Sequence, residues 1–175
     1  MQQACLEAVR IAKSHGLLIS IDPNLRLELA DSAKSLMLHE VLSQADVITP
    51  NETEALQITG AETLQQAMER LLALGPSVVA ITRGAYGVFI GSRTQVYDIP
   101  GLPICAVDTV GAGDVFAAAL LTGLLADMPL LDAGRFANAA AAWKTMRLGA
   151  IGKGLPNRDQ VTNWLKEIPY TNGVL

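Results

Sequence analysis

The chain has 175 residues, half of them apolar and only 5% aromatic, with a formal net charge of −4 at pH 7. This length is sufficient for one domain with a substantial core, and the composition is typical of a globular α/β protein. The negative charge gives no electrostatic reason to expect nucleic acid or an anionic membrane as a partner. Cys5 and Cys105 match no metal or redox spacing, and no apolar run is long enough to cross a bilayer, so a cytoplasmic protein is expected.

The hydrophobic pattern predicts alternating helices and strands in the first half of the chain. A helix is expected over residues 2–15, ended by Gly16, and a strand over residues 17–21. This strand is a continuous apolar run, which is typical of a strand buried on both faces of a parallel sheet. A second helix is expected over residues 32–44, followed by a short strand over residues 46–49.

The second half begins with the same alternation and ends in helices. The pattern predicts a helix from about residue 63, a buried strand at 78–82, an antiparallel hairpin at 88–99, and helices at 112–126, 130–147 and 157–167. Residues 1–175 contain no internal repeat or linker, so a single domain is expected. Alternating strands and helices favour an α/β fold with a mainly parallel sheet.

Polar side chains follow three successive predicted strands. They are Asp22, Asn24 and Arg26 after the first strand, Thr49, Asn51 and Glu54 after the second, and Thr82 and Arg83 with Gly84 after the third. Ligands of parallel sheets bind beyond the carboxyl ends of the strands. The pattern therefore predicts a polar site that needs a metal ion or cationic groups.

The stretch from Asp108 to Phe116 places Gly111 and Gly113 just ahead of Asp114 and an apolar helix. Glycines let the backbone turn so that its N–H groups converge, and the helix start adds the positive end of its dipole. Such a loop can hold an anion, with Asp114 as a proton acceptor. It is neither a dinucleotide fingerprint nor a Walker loop, because the third glycine and the Lys-Ser/Thr pair are missing. The alternative is an ordinary helix start.

Two further features have an ordinary structural interpretation beside a functional one, and a third has only the ordinary one. Asn51 and Glu54 have the spacing of a helix-capping pair, and equally that of a carboxylate site for hydrated Mg²⁺. Arg26 is either a solvated arginine in a turn or a fork for a phosphate or carboxylate. Lys144, Arg147 and Lys153 are interpreted as a commonplace basic face near a helix end.

Taken together, these motifs resemble the PfkB/ribokinase family of carbohydrate kinases. Residues 108–116 resemble its C-terminal signature, Asn51-x-x-Glu54 its magnesium motif, and Thr82-Arg83-Gly84-x-x-Gly87 its nucleotide segment. Residues 136–142 and 147–150 resemble its adenine-side helix and loop. The similarity keeps its order from about residue 4 to residue 165. It implies a ribokinase-like three-layer α/β/α sandwich with a mainly parallel, Rossmann-like central sheet.

The resemblance implies ATP-dependent phosphorylation of a sugar or sugar-acid hydroxyl. Asp114 would be the catalytic base, and the N–H groups of Gly111, Ala112, Gly113 and Asp114 would hold the γ-phosphoryl group. The residues implied to line the nucleotide are Thr82, Arg83, Gly84, Gly87 and Asn138. Asn51 and Glu54 would organise Mg²⁺, and Asp108 resembles the K⁺ site of some members. Lys153 would lie near that site, with its ammonium either replacing the ion or pointing to solvent. Arg26 would face the substrate, as in fructokinases and ketodeoxygluconate kinases.

Members of this family are much longer, so the resemblance implies that the N-terminal half, with most of the sugar site, is missing. The strand at residues 17–21 would then lack a neighbour on one side, and an apolar unpaired edge is a template for another chain. Self-association is therefore expected. The alternative function is a non-catalytic nucleotide-binding or assembly module. An unrelated α/β hydrolase-like enzyme is disfavoured because no nucleophile elbow is present.

Overall fold

The computed structural model describes residues 2–25, 38–149 and 154–168. The chain divides into two compact units, one comprising Met1–Ile81 with Gly91–Gln95 and the other comprising Thr82–Ile90 with Val96–Leu175. The single-domain expectation stays a prediction. Among the described helices, none combines the length and the hydropathy of a membrane span.

The first unit alternates helices with short parallel strands. Its elements are α1 (Gln2–Ser14), β1 (Ser20–Ile21), β2 (Val47–Ile48), α2 (Glu52–Thr59), α3 (Leu64–Ala73) and β3 (Val78–Thr82), and residues 38–42 are also helical. β2 pairs in parallel with both β1 and β3, and Val47 lies opposite Ser20 on one side and Val78 on the other. Leu42, Met68 and Leu71 are fully buried in the core of this unit. The predicted strand–helix alternation is confirmed here.

The first strand is shorter and less buried than the apolar run predicts. Only Ser20 and Ile21 form β1, while Leu17 and Leu18 are 59% and 49% exposed. Pairing with the neighbouring segment begins at Ile19, whose carbonyl oxygen accepts the N–H groups of Asp46 and Val47. Among the described strands β1 pairs with β2 alone, and it therefore has a pairing neighbour on one side only. The prediction of a strand over residues 17–21 buried on both faces is therefore wrong, because the strand is limited to Ser20 and Ile21 and both residues are only half-buried.

The second unit contains a hairpin and three helices. Its elements are a 3₁₀ turn (Gly84–Tyr86), β4 (Val88–Gly91), β5 (Val96–Ile99), α4 (Ala112–Leu125), α5 (Leu130–Thr145) and α6 (Arg158–Glu167). β4 and β5 are neighbours in the sheet, and residues 92–95 are too short a connection for a parallel crossover. The predicted hairpin, the three C-terminal helices and the α/β class with a mainly parallel sheet are confirmed.

Small residues let α4 and α5 approach closely. A Cβ at Gly123 of α4 would lie 3.1 Å from the Cβ of Ala133 of α5, a tight contact that the glycine avoids. Phe116 and Leu120 of α4 and Phe136 of α5 are buried. This packing matters for function because the first turn of α4 carries Gly113 and Asp114.

Candidate functional site

The chain leaves β3 through a tight turn at residues 82–87. The N–H of Arg83 donates to the carbonyl oxygen of Gly87 at 2.8 Å, and the N–H of Gly87 donates to that of Gly84 at 3.2 Å. Gly87 has a φ of 92°, and a Cβ there would collide with the backbone of residues 99–101. A glycine is therefore required at position 87 by packing, whether or not a nucleotide binds beside it.

Arg83 is turned toward its own unit. Its guanidinium forms an ion pair with Asp98 of β5 and donates to the carbonyl oxygen of Tyr86 at 3.1 Å. These contacts attach the 3₁₀ turn to β5. The role of Arg83 as a nucleotide ligand stays a prediction, and Asp98 is a partner that the sequence patterns did not indicate.

A cavity of about 240 Å³ lies in the second unit, between this turn and the helices. Its lining includes Thr82, Gly84, Gly87, Gly113, Phe116 and Asn138. Four of the five residues expected to line a nucleotide therefore lie around one cavity: Thr82, Gly84, Gly87 and Asn138. Gly113, from the expected phosphate loop, lies in the same cavity wall. Most of the lining side chains are small or apolar, which suits the flat face of a base.

Asn138 connects α5 to the loop that follows β5. Its side chain is only 7% exposed, and its Nδ2 donates to the carbonyl oxygen of Pro100 at 2.9 Å. The amide therefore fixes the position of one cavity wall. Its position on the wall agrees with the sequence hypothesis of an adenine-side helix.

The start of α4 leaves backbone donors free. Gly111 precedes the helix with a φ of 78° and provides no side-chain cap. The N–H of Ala112 donates to the carbonyl oxygen of Thr109, but those of Gly113 and Asp114 have no acceptor among the described residues. The carboxylate of Asp114 is exposed and likewise has no partner in the described part of the chain. Two free donors, the positive end of a helix dipole and an available carboxylate thus occupy one helical turn.

Asp108 holds the segment ahead of that turn. Its Oδ1 accepts the N–H of Val110 at 2.9 Å, and its Oδ2 accepts the N–H of Gly149 at 2.8 Å. These two hydrogen bonds, together with the ammonium of Lys144, hold the pKa of the Asp108 carboxyl below its ordinary value. The carboxylate therefore remains ionised over the physiological pH range.

Lys144 is buried in this site and does not lie on a basic face of the helix. It is 0% exposed, and its Nζ donates to the carbonyl oxygen of Asp108 at 2.8 Å. The interpretation as part of an exposed basic face is therefore wrong. The available signal was its position at the end of a helix stretch of small and apolar residues, where a charged side chain needs a buried partner.

Asn51 and Glu54 form a capping box at the start of α2. The Oδ1 of Asn51 accepts the N–H of Glu54, and the Oε2 of Glu54 accepts the N–H of Asn51, both at 2.9 Å. The Oε1 of Glu54 accepts the N–H of Leu25 at 2.7 Å, and the residue is 5% exposed. The capping interpretation is thus confirmed. Each carboxylate oxygen keeps further acceptor capacity, so the pair fits Mg²⁺ through ordered water.

Two of the expected site residues lie outside the described part of the chain. They are Arg26, expected to face the substrate, and Lys153, expected near the K⁺ site. Their assignments stay predictions.

Comparisons with known proteins identify the family and the fold of the chain. The family model described as pfkB family carbohydrate kinase matches residues 1–158. The ribokinase of Haemophilus influenzae is 35% identical over 164 residues, which cover 91% of this chain and 51% of that protein. An Escherichia coli protein assigned as a ribokinase II, solved with ATP and Mg²⁺, has a TM-score of 0.87 at 30% identity, covering 94% of this chain and 54% of that one.

A double mutant of the fructokinase from Vibrio cholerae O395, solved with fructose, ADP and a potassium ion, has a TM-score of 0.81 at 26% identity. That match covers 93% of this chain and 55% of the other. The chain therefore has a ribokinase-like fold and spans about half the length of the relatives it matches. It belongs to the pfkB family of carbohydrate kinases.

Proposed function

We propose that this chain carries the nucleotide-binding and phosphoryl-transfer part of a sugar kinase, which moves the γ-phosphoryl group of ATP to a sugar or sugar-acid hydroxyl. The observation that carries the proposal is the start of α4, where the N–H groups of Gly113 and Asp114 are free beside a cavity. Free donors at a helix start are suited to phosphate oxygens, because both the hydrogen bonds and the dipole favour an anion.

The cavity is the proposed nucleotide site. The base would lie against its small and apolar wall, with the 82–87 turn on one side and Asn138 on α5 on another. Gly113 is part of the same lining, so a nucleotide in the cavity would extend its phosphates toward the start of α4. The presence of ATP in the E. coli structure supports this assignment.

Asp114 is the proposed catalytic base. Its carboxylate would accept the proton of the sugar hydroxyl while the hydroxyl oxygen forms a bond to the γ-phosphorus and the bond to the β-phosphate oxygen breaks. The charge that develops on the transferred group would be held by the N–H groups of the Gly111–Asp114 loop. Positioning and charge neutralisation dominate such transfers, which suits a site with few groups that react covalently.

Mg²⁺, when bound, would neutralise charge on the phosphate oxygens. Asn51 and Glu54 are the residues proposed to hold it through water, an assignment that rests on the family motif and on the spare acceptor capacity of Glu54. The capping box fixes that carboxylate in one orientation. Glu54 thus has a structural role in α2 and a proposed role toward the metal.

The second candidate is a nucleotide-binding or assembly fragment without catalytic activity. It is favoured by one finding, that the chain spans about half the length of its relatives. Such a fragment would bind ATP without transferring phosphate to any sugar.

Asp114→Asn should abolish transfer while leaving ATP binding nearly unchanged. Removing a general base lowers rates by about 10²–10⁴-fold, whereas the free N–H groups of α4 remain. The measurement is ADP release with a panel of sugars, beside calorimetric titration with Mg·ATP. The control is Asp127→Asn, which changes an exposed carboxylate just beyond the other end of α4. This variant should behave like the native chain. Equal transfer by both variants would contradict the role of Asp114, and the absence of transfer in the native chain would favour the second candidate.

Gly113→Ala separates the binding role of this glycine from any folding role. A Cβ at this position would meet no protein atom within 4 Å, and alanine is preferred in helices by about 1 kcal/mol, so stability should be kept or raised. The methyl group would block the approach of phosphate, and losing one charge-assisted hydrogen bond of about 1.5–3 kcal/mol should weaken ATP binding about 10–100-fold.

Gly123→Ala in the same helix is the matched control. Its Cβ would press against Ala133, so the free energy of unfolding should fall while ATP affinity is kept. Calorimetric titration and denaturant unfolding measure the two quantities. Native affinity in Gly113→Ala would contradict phosphate binding at this turn.

We also propose that the chain self-associates through the edge at β1. Among the described strands β1 has a pairing neighbour on one side only, and Leu17 and Leu18 beside it are exposed. An unpaired strand edge next to exposed leucines favours pairing with a second copy.

Leu18→Lys should shift the chain toward the monomer, because a charge at the interface opposes pairing. Sedimentation velocity at micromolar concentrations measures the distribution of species. Leu125→Lys, which changes an exposed leucine at the far end of α4, should leave that distribution unchanged. A native chain that sediments strictly as a monomer would refute the proposal.

A further inference from the structure

Lys144 carries a positive charge into the interior of the second unit. It is the penultimate residue of α5 and is fully buried. A buried ammonium is retained only where oxygen atoms replace its water. The identity of those oxygens therefore indicates what the charge does.

Among the described residues, the two oxygens found near the ammonium both belong to Asp108. The Nζ donates to the main-chain carbonyl at 2.8 Å and lies 3.7 Å from Oδ2 of the carboxylate. A backbone carbonyl and a carboxylate are the ligands that a bare monovalent cation also takes in proteins. Since K⁺ and an ammonium group carry the same charge, one can substitute for the other at such oxygens.

The contact supports the segment that leads into α4. Asp108 receives the N–H groups of Val110 and Gly149, and its own N–H donates to the carbonyl oxygen of Thr145 at 3.0 Å. Lys144 therefore joins the end of α5 to the residues immediately before Gly111. It is a positioning residue, since it acts on the proposed phosphate loop through Asp108.

We infer that the ammonium of Lys144 takes the place of the monovalent cation that the family resemblance assigns to Asp108, so that this chain does not depend on K⁺. The oxygens of Asp108 do not fit a K⁺ ion as they stand, because a second positive charge sharing them would be repelled at close range by the ammonium. The effect of Lys144 on catalysis rests on the proposed function. The preference of the Asp108 oxygens for the ammonium over K⁺ is independent of that function.

The test uses the thermal unfolding of the full 175-residue chain in chloride salts of K⁺, Na⁺ and tetramethylammonium at equal ionic strength. The only two tryptophans, Trp143 and Trp164, contact each other with ring centroids 5.4 Å apart and report on unfolding beside Lys144. The native chain should show the same Tm in all three salts. A rise in Tm that is specific to K⁺ would overturn the inference.

Lys144→Ala provides the second arm. The variant should unfold at a lower Tm and regain part of the loss in K⁺ but not in tetramethylammonium, because the truncated side chain leaves room for an ion at Asp108. Lys144→Met, which fills the space without a charge, should be destabilised and gain nothing from K⁺. Lys13→Ala removes an exposed lysine that pairs with Asp46 at 3.1 Å, and it should show no K⁺ effect.

A destabilised Lys144→Ala variant without recovery in K⁺ would mean that the ammonium is a structural contact only. If that variant does not fold, the salt comparison on the native chain still decides. Because Tm is measured without ATP or sugar, failure of this inference and failure of the proposed function are distinguishable.

Discussion

The start of α4 depends on Asp108 for its position. Gly111 has no side chain with which to cap the helix. The segment that precedes it is held instead by the hydrogen bonds that the N–H groups of Val110 and Gly149 donate to the Asp108 carboxylate. Lys144 anchors the same residue from the end of α5. This arrangement leaves the N–H groups of Gly113 and Asp114 free for a ligand, whereas a capping side chain would have consumed one of them.

The glycines of the second unit fall into two groups, those that the packing of the fold requires and those that it does not. Gly87 and Gly123 are required by packing, because a Cβ at either position would meet neighbouring atoms. Gly113 lies in open space, and the helix would accept alanine there without strain. A glycine that the fold does not require, at the wall of a cavity, is best explained by the close approach of a ligand.

The sequence predicted the elements and the grouping of the site better than the role of individual charges. Strands such as Val78–Thr82 and helices such as α4 and α5 have strong apolar patterns, so their positions could be predicted. The exposure of Leu17 and Leu18 could not, since a run of apolar residues does not reveal where within it the strand begins or what covers its faces. The partners of Arg83 and Lys144 depend on tertiary contacts with Asp98 and Asp108, which no local pattern records. Asn51 and Glu54 show that a capping box and a family motif can share the same two residues.

The most informative single measurement is the amide ¹H–¹⁵N spectrum of the full chain, titrated with a non-hydrolysable ATP analogue and Mg²⁺. If the free donors of α4 receive the phosphates, the amides of Gly113 and Asp114 should shift strongly and become protected from exchange with water. The amide of Gly60, which is satisfied by the carbonyl oxygen of Leu56 in the first unit, should be unaffected by contact with phosphate. Nucleotide binding that leaves the Gly113 and Asp114 amides unchanged would contradict the phosphate site proposed here.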